Sequence, residues 1–359
     1  MSTAKGKSKI LREDTHNGDA TAPEVQRFVG IDWSGRIDTA GQRRHIWAGI
    51  WTRAVSGKVT VRLEAGRTRE EIAEWLLELG AETPRMVIGI DCCFSYPAWF
   101  LQELGCADMF SFWRLVTSGH GERWLARVAE HEVRDERFWG KPHKRPPQFS
   151  GAGLRSMYRH TDYDNKIAQA LEGGDPERAA KMKGITPKSP FQIGGSGSVG
   201  TGSLRAIPML ERLHEAGFRV WPVQSANFGE AEPKPLLTEM YTRLMTGAVA
   251  KSNAAARKRY LAQRQKDDPL FAAVGRAVLK KAEGSEDAFD ALISTLEMAR
   301  HAEAFPRLQA TTDPQLLLEG NTWRPGIGEA LGAVDAGAAV PIHAGKLTVY
   351  ASIVRQPDS

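Results

Sequence analysis

The sequence predicts an α/β fold, organised as one large domain with an insertion, in which a sheet is flanked by helices. Segments of strand length alternate with segments of helical spacing, and the first elements run strand, strand, strand, helix, strand. In addition, 42% of the 359 residues are hydrophobic, which is enough for a substantial core.

The first three strands are predicted from their hydrophobic pattern. An apolar segment runs from Arg27 to Ile31, a second strand from Arg44 to Trp51, and a third, with alternating Val and Leu, from Lys58 to Leu63. A polar break from Ser34 to Gln42 separates the first two strands. Short connections of this kind indicate an antiparallel meander.

A helix and a buried strand follow the meander. Thr68 and Glu71 have the spacing of a capping box, and apolar residues then recur at helical spacing up to Gly80. The next segment, from Met86 to Ile90, is almost continuously apolar, which is typical of a strand covered on both faces.

The later elements are spaced more widely. In chain order they are a charged, helical insertion at about 97–182, a glycine-rich run at 194–202, a helix at 203–216, strands at 218–223 and 236–241, a helix at about 285–304, and a late strand at 346–354. Three regions are therefore expected: a disordered polar tail at 1–26, the domain at 27–305, and a Gly/Pro-rich extension at 306–359 that is able to pack on the core.

Composition argues against several classes of protein. Cys92, Cys93 and Cys106 form neither a CxxC pair nor an even set, which disfavours zinc sites and disulfides and favours a reducing compartment. The basic N-terminus lacks the apolar segment of a secretory signal, and no stretch has the length and apolarity of a membrane span. A cytoplasmic protein without a membrane partner is expected.

Acidic residues stand at the ends of two apolar strands. Asp32 closes the first strand and Asp91 closes the buried one, and α/β proteins build their sites at such strand ends. Glu239 lies in a later strand, and Asp287 and Asp290 share one face of the late helix. Each acid alone also fits a turn, a cap or the first turn of a helix, so the set of five carries the argument.

The late helix has its bulky apolar residues on the face opposite Asp287 and Asp290. The acidic face continues through Ala291, Ser294 and Met298, most of which are small. This face is therefore able to pack closely on a sheet, while the bulky face meets another layer.

Carboxylates that share a site raise each other's pKa unless a cation compensates their charge. Oxygen ligands without His or Cys suit Mg²⁺ or Mn²⁺ and argue against zinc. Two such ions about 3.5–4 Å apart activate water and stabilise the leaving oxygen in phosphodiester cleavage. The acids therefore predict Mg²⁺ or Mn²⁺ as cofactor and nucleic acid as substrate, its type left open.

Four segments that carry these acids, 28–32, 88–91, 238–241 and 287–292, resemble the motifs of a known family. It is catalogued as domain of unknown function 429 and described as predicted nucleases with a ribonuclease-H-like fold. The resemblance spans about 27–304 and implies a mixed five-stranded sheet flanked by helices, which the insertion at about 97–182 interrupts. The last segment is also similar to the final acidic helix of Holliday-junction resolvases.

The resemblance implies roles for individual residues. Asp32, Asp91 and one or both of Asp287 and Asp290 fall on metal-ligand positions, and Glu239 is a further member of the site. The sequence departs from the family at 92–94, where Cys-Cys-Phe replaces small or proline residues, and in the length of the insertion. These departures bear on the substrate class more than on the fold.

Positive charge is concentrated in one stretch. Residues 251–281 contain nine Lys or Arg and two Asp, a local excess of seven charges against a net charge of +5 for the whole chain. Lys251, Arg257 and Lys258 are predicted to bind substrate phosphates near Glu239, with a solvated helix face as the alternative. The glycine-rich run at 194–202 is either a phosphate cradle or a flexible hinge.

These features favour a metal-dependent nuclease, and two rivals stay open. The first is an actin-like ATP-using enzyme of the same superfamily, which would bind nucleotide at residues 194–202. The second is a non-catalytic nucleic-acid-binding or protein-binding module, for which the basic stretch matters and the acids do not.

Overall fold

A computed structural model describes residues 24–126, 135–140, 144–149, 156–162, 188–195, 198–246 and 249–327 of the chain. These residues form a seven-stranded mixed sheet flanked by helices, so the predicted α/β class is confirmed. The strands are β1 Arg27–Asp32, β2 Trp47–Arg53, β3 Val59–Glu64, β4 Met86–Ile90, β5 Arg219–Val220, β6 Leu236–Met240 and β7 Thr322–Trp323.

The sheet order is β3-β2-β1-β4-β6-β5. Strands β1, β2 and β3 form the predicted antiparallel meander, whereas β4 runs parallel to β1 and β6 runs parallel to β4. The two-residue strands β5 and β7 both pair with β6, one near each of its ends. Strand β5 lies within the predicted strand at 218–223, whereas β7 was not predicted, and the sheet has seven strands where the resemblance implies five.

Helices cover both faces of the sheet. They are α1 Thr39–His45, α2 Arg69–Glu82, α3 Ala98–Glu103, α4 Met109–Leu115, α5 Gly121–Leu125, α6 Val199–Glu215, α7 Thr242–Thr246, α8 Ala254–Asp267, α9 Pro269–Ala272, α10 Arg276–Gly284, α11 Glu286–Arg300 and α12 Pro314–Glu319. Among the described residues, none of the helices combines the length and the apolar character that crossing a membrane requires.

Two predicted helix starts agree with the structure. The Thr68 hydroxyl accepts from the Glu71 amide at 3.2 Å, and the Glu71 carboxylate accepts from the Thr68 amide at 2.8 Å, which completes the capping box of α2. Ser285 is the N-cap of α11, and its hydroxyl accepts from the Ala288 amide at 3.2 Å.

Helix α1 was not predicted, because its sequence is polar and lacks a helical pattern of large apolar residues. Asp38 caps its N-terminus by accepting from the Gly41 amide. Its buried positions are Gly41 and Gln42, and the Gln42 side chain accepts from the Arg69 amide at 3.1 Å. Strand β2 therefore begins at Trp47, later than the predicted start.

Parts of the expected tail and extension pack on the core. Val25 is buried, and the Gln26 amide donates to the carbonyl of Arg85 at 2.9 Å. At the other end, Trp323 in β7 is buried. The rest of the tail (1–23), parts of the insertion (127–134, 141–143, 150–155 and 163–182) and the predicted strand at 346–354 lie outside the described residues.

Three glycines in neighbouring strands allow α11 to lie close against the sheet. Gly30 stands opposite Gly49 in β2 and Gly89 in β4. The Gly30 amide donates to the Thr295 hydroxyl at 3.1 Å, and this hydroxyl donates to the carbonyl of Ala291 at 2.7 Å. The small face of α11 therefore packs closely on the sheet, as the sequence predicts.

We predict that Gly49→Ala lowers the free energy of unfolding by about 1–3 kcal/mol, because the added methyl group overpacks this contact. A Cβ at Gly49 would lie 2.7 Å from the backbone oxygen of Ala291. Urea-induced unfolding measures the change. Gly284→Ala in α10 is the control: apart from its chain neighbours and the adjacent backbone of its own helix, no described atom lies within 4 Å of its added Cβ, and its stability should stay equal or rise. Equal losses in both variants would contradict the prediction.

Candidate functional site

The strand-end acids leave the sheet side by side. Asp32 is the last residue of β1, and Asp91 directly follows β4. The two strands are parallel with Ile31 opposite Ile90, and the Asp91 amide donates to the carbonyl of Ile31 at 3.0 Å. Both carboxylates are half-buried at the carboxyl edge of the sheet.

Helix α11 adds a third and a fourth acid to this edge. Asp290 is only 2% exposed, and Asp287 lies one turn before it and is half-buried. One oxygen of Asp287 lies 2.8 Å from Nδ1 of His45, the last residue of α1. Asp290 therefore belongs to the interior of the cluster, and Asp287 lies at its rim with a histidine partner.

Lys251 is inserted into the cluster. Its ammonium group contacts Oδ2 of Asp290 and lies 3.6 Å from the carboxylate of Glu286, and its side chain is 18% exposed. Burial alone would lower the pKa of this lysine. The negative charges of Asp290, Asp91 and Asp32 outweigh burial and raise the pKa of Lys251, so the lysine is a cation held among acids.

The acids destabilise each other's charged forms. Burial raises the pKa of Asp32 well above its ordinary value, and repulsion by Asp290, Asp91 and Asp287 adds to this effect. Burial also raises the pKa of Asp91, although the Thr242 hydroxyl, which donates to Asp91 Oδ2 at 2.8 Å, opposes the rise. Burial raises the pKa of Asp290 to about 7, although the positive charge of Lys251 opposes this rise.

One buried carboxylate oxygen of the cluster has no hydrogen-bond partner among the described residues. It is Oδ1 of Asp290. Leaving a buried acceptor unsatisfied costs free energy, most of all when it carries charge. This oxygen is therefore the atom of the cluster that is best placed to gain from a bound ligand.

Glu239 has no oxygen to spare for a metal ion. Its carboxylate accepts from both Nη atoms of Arg159 at 2.7 Å, from the Phe94 amide at 2.7 Å and from the Thr322 hydroxyl at 2.8 Å. Two donors on each oxygen fill the acceptor sites of a carboxylate. The contacts of Glu239 therefore do not support its predicted place among the metal ligands. They show that Glu239 joins neighbouring segments of the chain.

Arg159 was missed by the sequence reasoning. It lies in the insertion, is 1% exposed, and also forms an ion pair with Asp162 at 3.0 Å. No spacing in the sequence relates Arg159 to Glu239, 80 positions away, so only the folded chain shows the pair. The pair fixes a described part of the insertion to β6.

The side chains of the predicted phosphate-binding residues do not share one exposed surface. Lys251 is in the acid cluster, and Lys258 is exposed on α8. Arg257 is 5% exposed and donates to the backbone carbonyls of Glu283 and Lys251. Its burial corrects the prediction that it lines a phosphate-binding surface, because it holds α8 and α10 together instead.

A cavity of about 860 Å³ opens beside Asp91. Gly195, Ser198, Thr201 and Gly202 line it, so part of the glycine-rich run and the start of α6 face this space. The positive charges in its lining match the negative ones in number. The charged lining residues are Arg36, Arg159, Lys188, Arg205, Asp38, Asp91, Asp162 and Glu239.

Within the described part of the chain, no group of three or more His, Cys, Asp or Glu side chains is arranged so that it could hold a metal ion. The three cysteines are free and buried, and burial raises the pKa of both Cys92 and Cys93. Raised thiol pKa values oppose metal coordination by sulfur.

Comparison with protein-family models, curated proteins and solved structures found no match.

We predict that Asp32→Asn is more stable than the parent by about 1–3 kcal/mol at pH 8 in the presence of EDTA. The raised pKa of Asp32 means that its ionised form destabilises the folded chain, whereas asparagine stays neutral. The destabilisation disappears as the pH falls toward the pKa of the unfolded chain, so the two proteins should converge near pH 4. Chemical denaturation at several pH values measures this.

The exposed residue Asp267 supplies the control for this experiment. Its side chain accepts from Gln263 on the surface of α8, an interaction that asparagine preserves. Asp267→Asn should follow the parent at every pH. A loss of stability in Asp32→Asn at pH 8 would mean that the carboxylate is well accommodated without a metal ion.

Proposed function

We propose that the chain is a metal-dependent nuclease with a ribonuclease-H-like core, which hydrolyses phosphodiester bonds in nucleic acid. The observation that carries this proposal is the convergence of Asp32, Asp91 and Asp290 at one edge of the sheet, where burial and mutual repulsion raise their pKa values. Groups with shifts of this kind are concentrated at functional sites.

The topology supports the proposed core. A three-stranded antiparallel meander is followed by parallel strands, with helices on both faces, which agrees with the mixed sheet that the resemblance to the family of domain of unknown function 429 implies. Membership in that family remains part of the proposal. The free, buried cysteines agree with the cytoplasmic location that we also propose.

The donor atoms suit a hard divalent cation. Mg²⁺ commonly binds through one or two carboxylates and keeps several water molecules, so it does not need a group of three protein ligands. Asp32 and Asp91 would supply these two carboxylates, and the negative charge of Asp290 beside Asp32 would attract the cation. When bound, the ion would supply an activated water and stabilise charge on phosphate oxygens.

Other residues would support the site without contacting the substrate. The hydroxyl of Thr242 orients Asp91. The ion pair of Glu239 with Arg159 fixes the segment that follows Asp91, because Glu239 also accepts from the Phe94 amide. Asp287 would act at the rim, together with His45.

We predict metal-dependent cleavage of at least one member of a panel of single-stranded, duplex, hybrid and four-way-junction substrates. Asp32→Asn and Asp91→Asn should each lower the rate by about 100-fold or more, because both remove a charged donor from the proposed ion. Labelled substrates with Mg²⁺ or Mn²⁺ measure this, and circular dichroism checks folding. Asp267→Asn is the matched control and should cleave like the parent.

The rival functions predict other results in the same assay. Cleavage that survives both substitutions would assign the activity to another site and reject the proposal. Binding of ATP without cleavage would favour the ATP-using enzyme. That enzyme would bind nucleotide at the glycine-rich run, part of which lines the cavity beside Asp91. Nucleic-acid binding that persists without metal and in both variants would favour a non-catalytic module.

A further inference from the structure

We propose that the cavity beside Asp91 binds one unpaired base of a nucleic-acid strand. The inference rests on the proposed function and deepens it, because it narrows the substrate to single-stranded nucleic acid. The cavity then sets the substrate class, whereas the acid cluster sets the place of cleavage.

The size and place of the cavity suit a single nucleotide. Its volume of about 860 Å³ lies within the range of about 300–1,000 Å³ that is common for pockets of small ligands. Asp91 lines it and also belongs to the acid cluster, so an occupant would lie next to the proposed site of cleavage. A base inside a duplex reaches such a cavity only after it is unpaired and unstacked. A base of a single strand enters without that cost.

Most charges in the lining of the cavity are already paired. The ion pairs of its arginines are Arg36 with Asp38 at 3.1 Å, Arg205 with Glu122 at 3.1 Å, and Arg159 with Glu239 at 2.7 Å. Lys188 is exposed and makes no ion pair within the described part of the chain. A triphosphate would therefore find few free cations in this space, whereas a base is uncharged and has polar edges. The lining suits a base better than a row of phosphates.

Two aromatic side chains in the lining are placed to contact a base. Trp33 directly follows Asp32, and its indole N–H donates to the carbonyl of Gly202 at 3.0 Å, which fixes the ring. Tyr241 directly follows β6, and both aromatic residues are half-buried. Bases that are free of a duplex stack on aromatic rings with little dependence on sequence. The lining therefore supplies a stacking surface beside the acid cluster.

The loop that follows β1 forms one wall of the cavity and is held in place by two arginines. Arg205 donates to the carbonyl of Gly35 at 2.6 Å, and Arg69 donates to the carbonyl of Arg36 at 2.6 Å. Farther along this loop, Ile37 lines the cavity although it is 74% exposed, which places it at the mouth. A wall that is formed before the ligand arrives lowers the entropic cost of binding.

Binding measurements with and without bases test the inference separately from cleavage. The probes are a short fluorescein-labelled DNA strand, an RNA strand of the same sequence, the matching DNA duplex, and an abasic DNA strand that keeps every phosphate. Fluorescence anisotropy is measured on the full chain in EDTA, which prevents metal-dependent cleavage. We expect at least one of the two strands with bases to bind about 10-fold or more tightly than the abasic strand. The duplex should also bind more weakly than that strand.

Variants in the lining test whether this cavity is the place of binding. Tyr241→Ala and Ile37→Ser should each weaken binding of the strand by about 3-fold or more, while binding of the abasic strand stays unchanged. Tyr241→Phe keeps the ring and should bind like the parent. Val55→Ser is the matched control for Ile37→Ser, because Val55 is an exposed apolar residue between β2 and β3, and it should also bind like the parent. Circular dichroism checks folding.

The possible results separate the claims. Equal affinity for the strands with and without bases, equal affinity for strand and duplex, or no binding of any probe overturns the inference, and none of these results depends on a variant. Unchanged binding in Ile37→Ser and in a folded Tyr241→Ala places the base elsewhere and also overturns it. If binding is as expected but no substrate of the panel is cleaved, the base-binding cavity stands and the proposed nuclease function fails.

Discussion

The close contact between α11 and the sheet is the constraint on which the acid cluster depends. Side chains are absent at Gly49, Gly30 and Gly89, so the helix lies against the backbone of three strands. Thr295 of α11 contacts Gly30, and Asp290 lies five residues before Thr295, which is about 7.5 Å along the helix axis. From Gly30, Asp32 is two residues or about 6.6 Å along the strand. These similar distances bring the two acids to the same edge.

This arrangement places charge where the fold would be more stable without it. Burial raises the pKa of Asp32, Asp91 and Asp290, so each ionised carboxylate opposes folding near neutral pH. Lys251 offsets part of this repulsion, and the Thr242 hydroxyl stabilises the charge of Asp91. A cluster that persists at such a cost is more readily explained by a ligand than by a role in the core.

The sequence predicts the parts of this site that follow from local pattern. Apolar strands that end in Asp32 and Asp91, and a helix with acids three residues apart, are recognisable without any knowledge of distant contacts. The roles of Lys251, Arg159 and His45 are not, because each depends on a partner that the chain brings near only when it folds. Helix α1 was missed for a different reason, since its buried face consists of a glycine and a glutamine.

Strand register explains why Glu239 differs from the strand-end aspartates. Successive side chains of a strand point to opposite faces, so Asp32 shares the face of Gly30, on which α11 lies. Asp91, two residues after Gly89, continues the same face. Glu239 stands opposite Ile90, and its side chain therefore points to the other face, where Arg159 binds it. A register shift of one residue would exchange these faces. Reading an acid in a strand as a site residue thus requires the pairing of that strand, which the sequence alone does not contain.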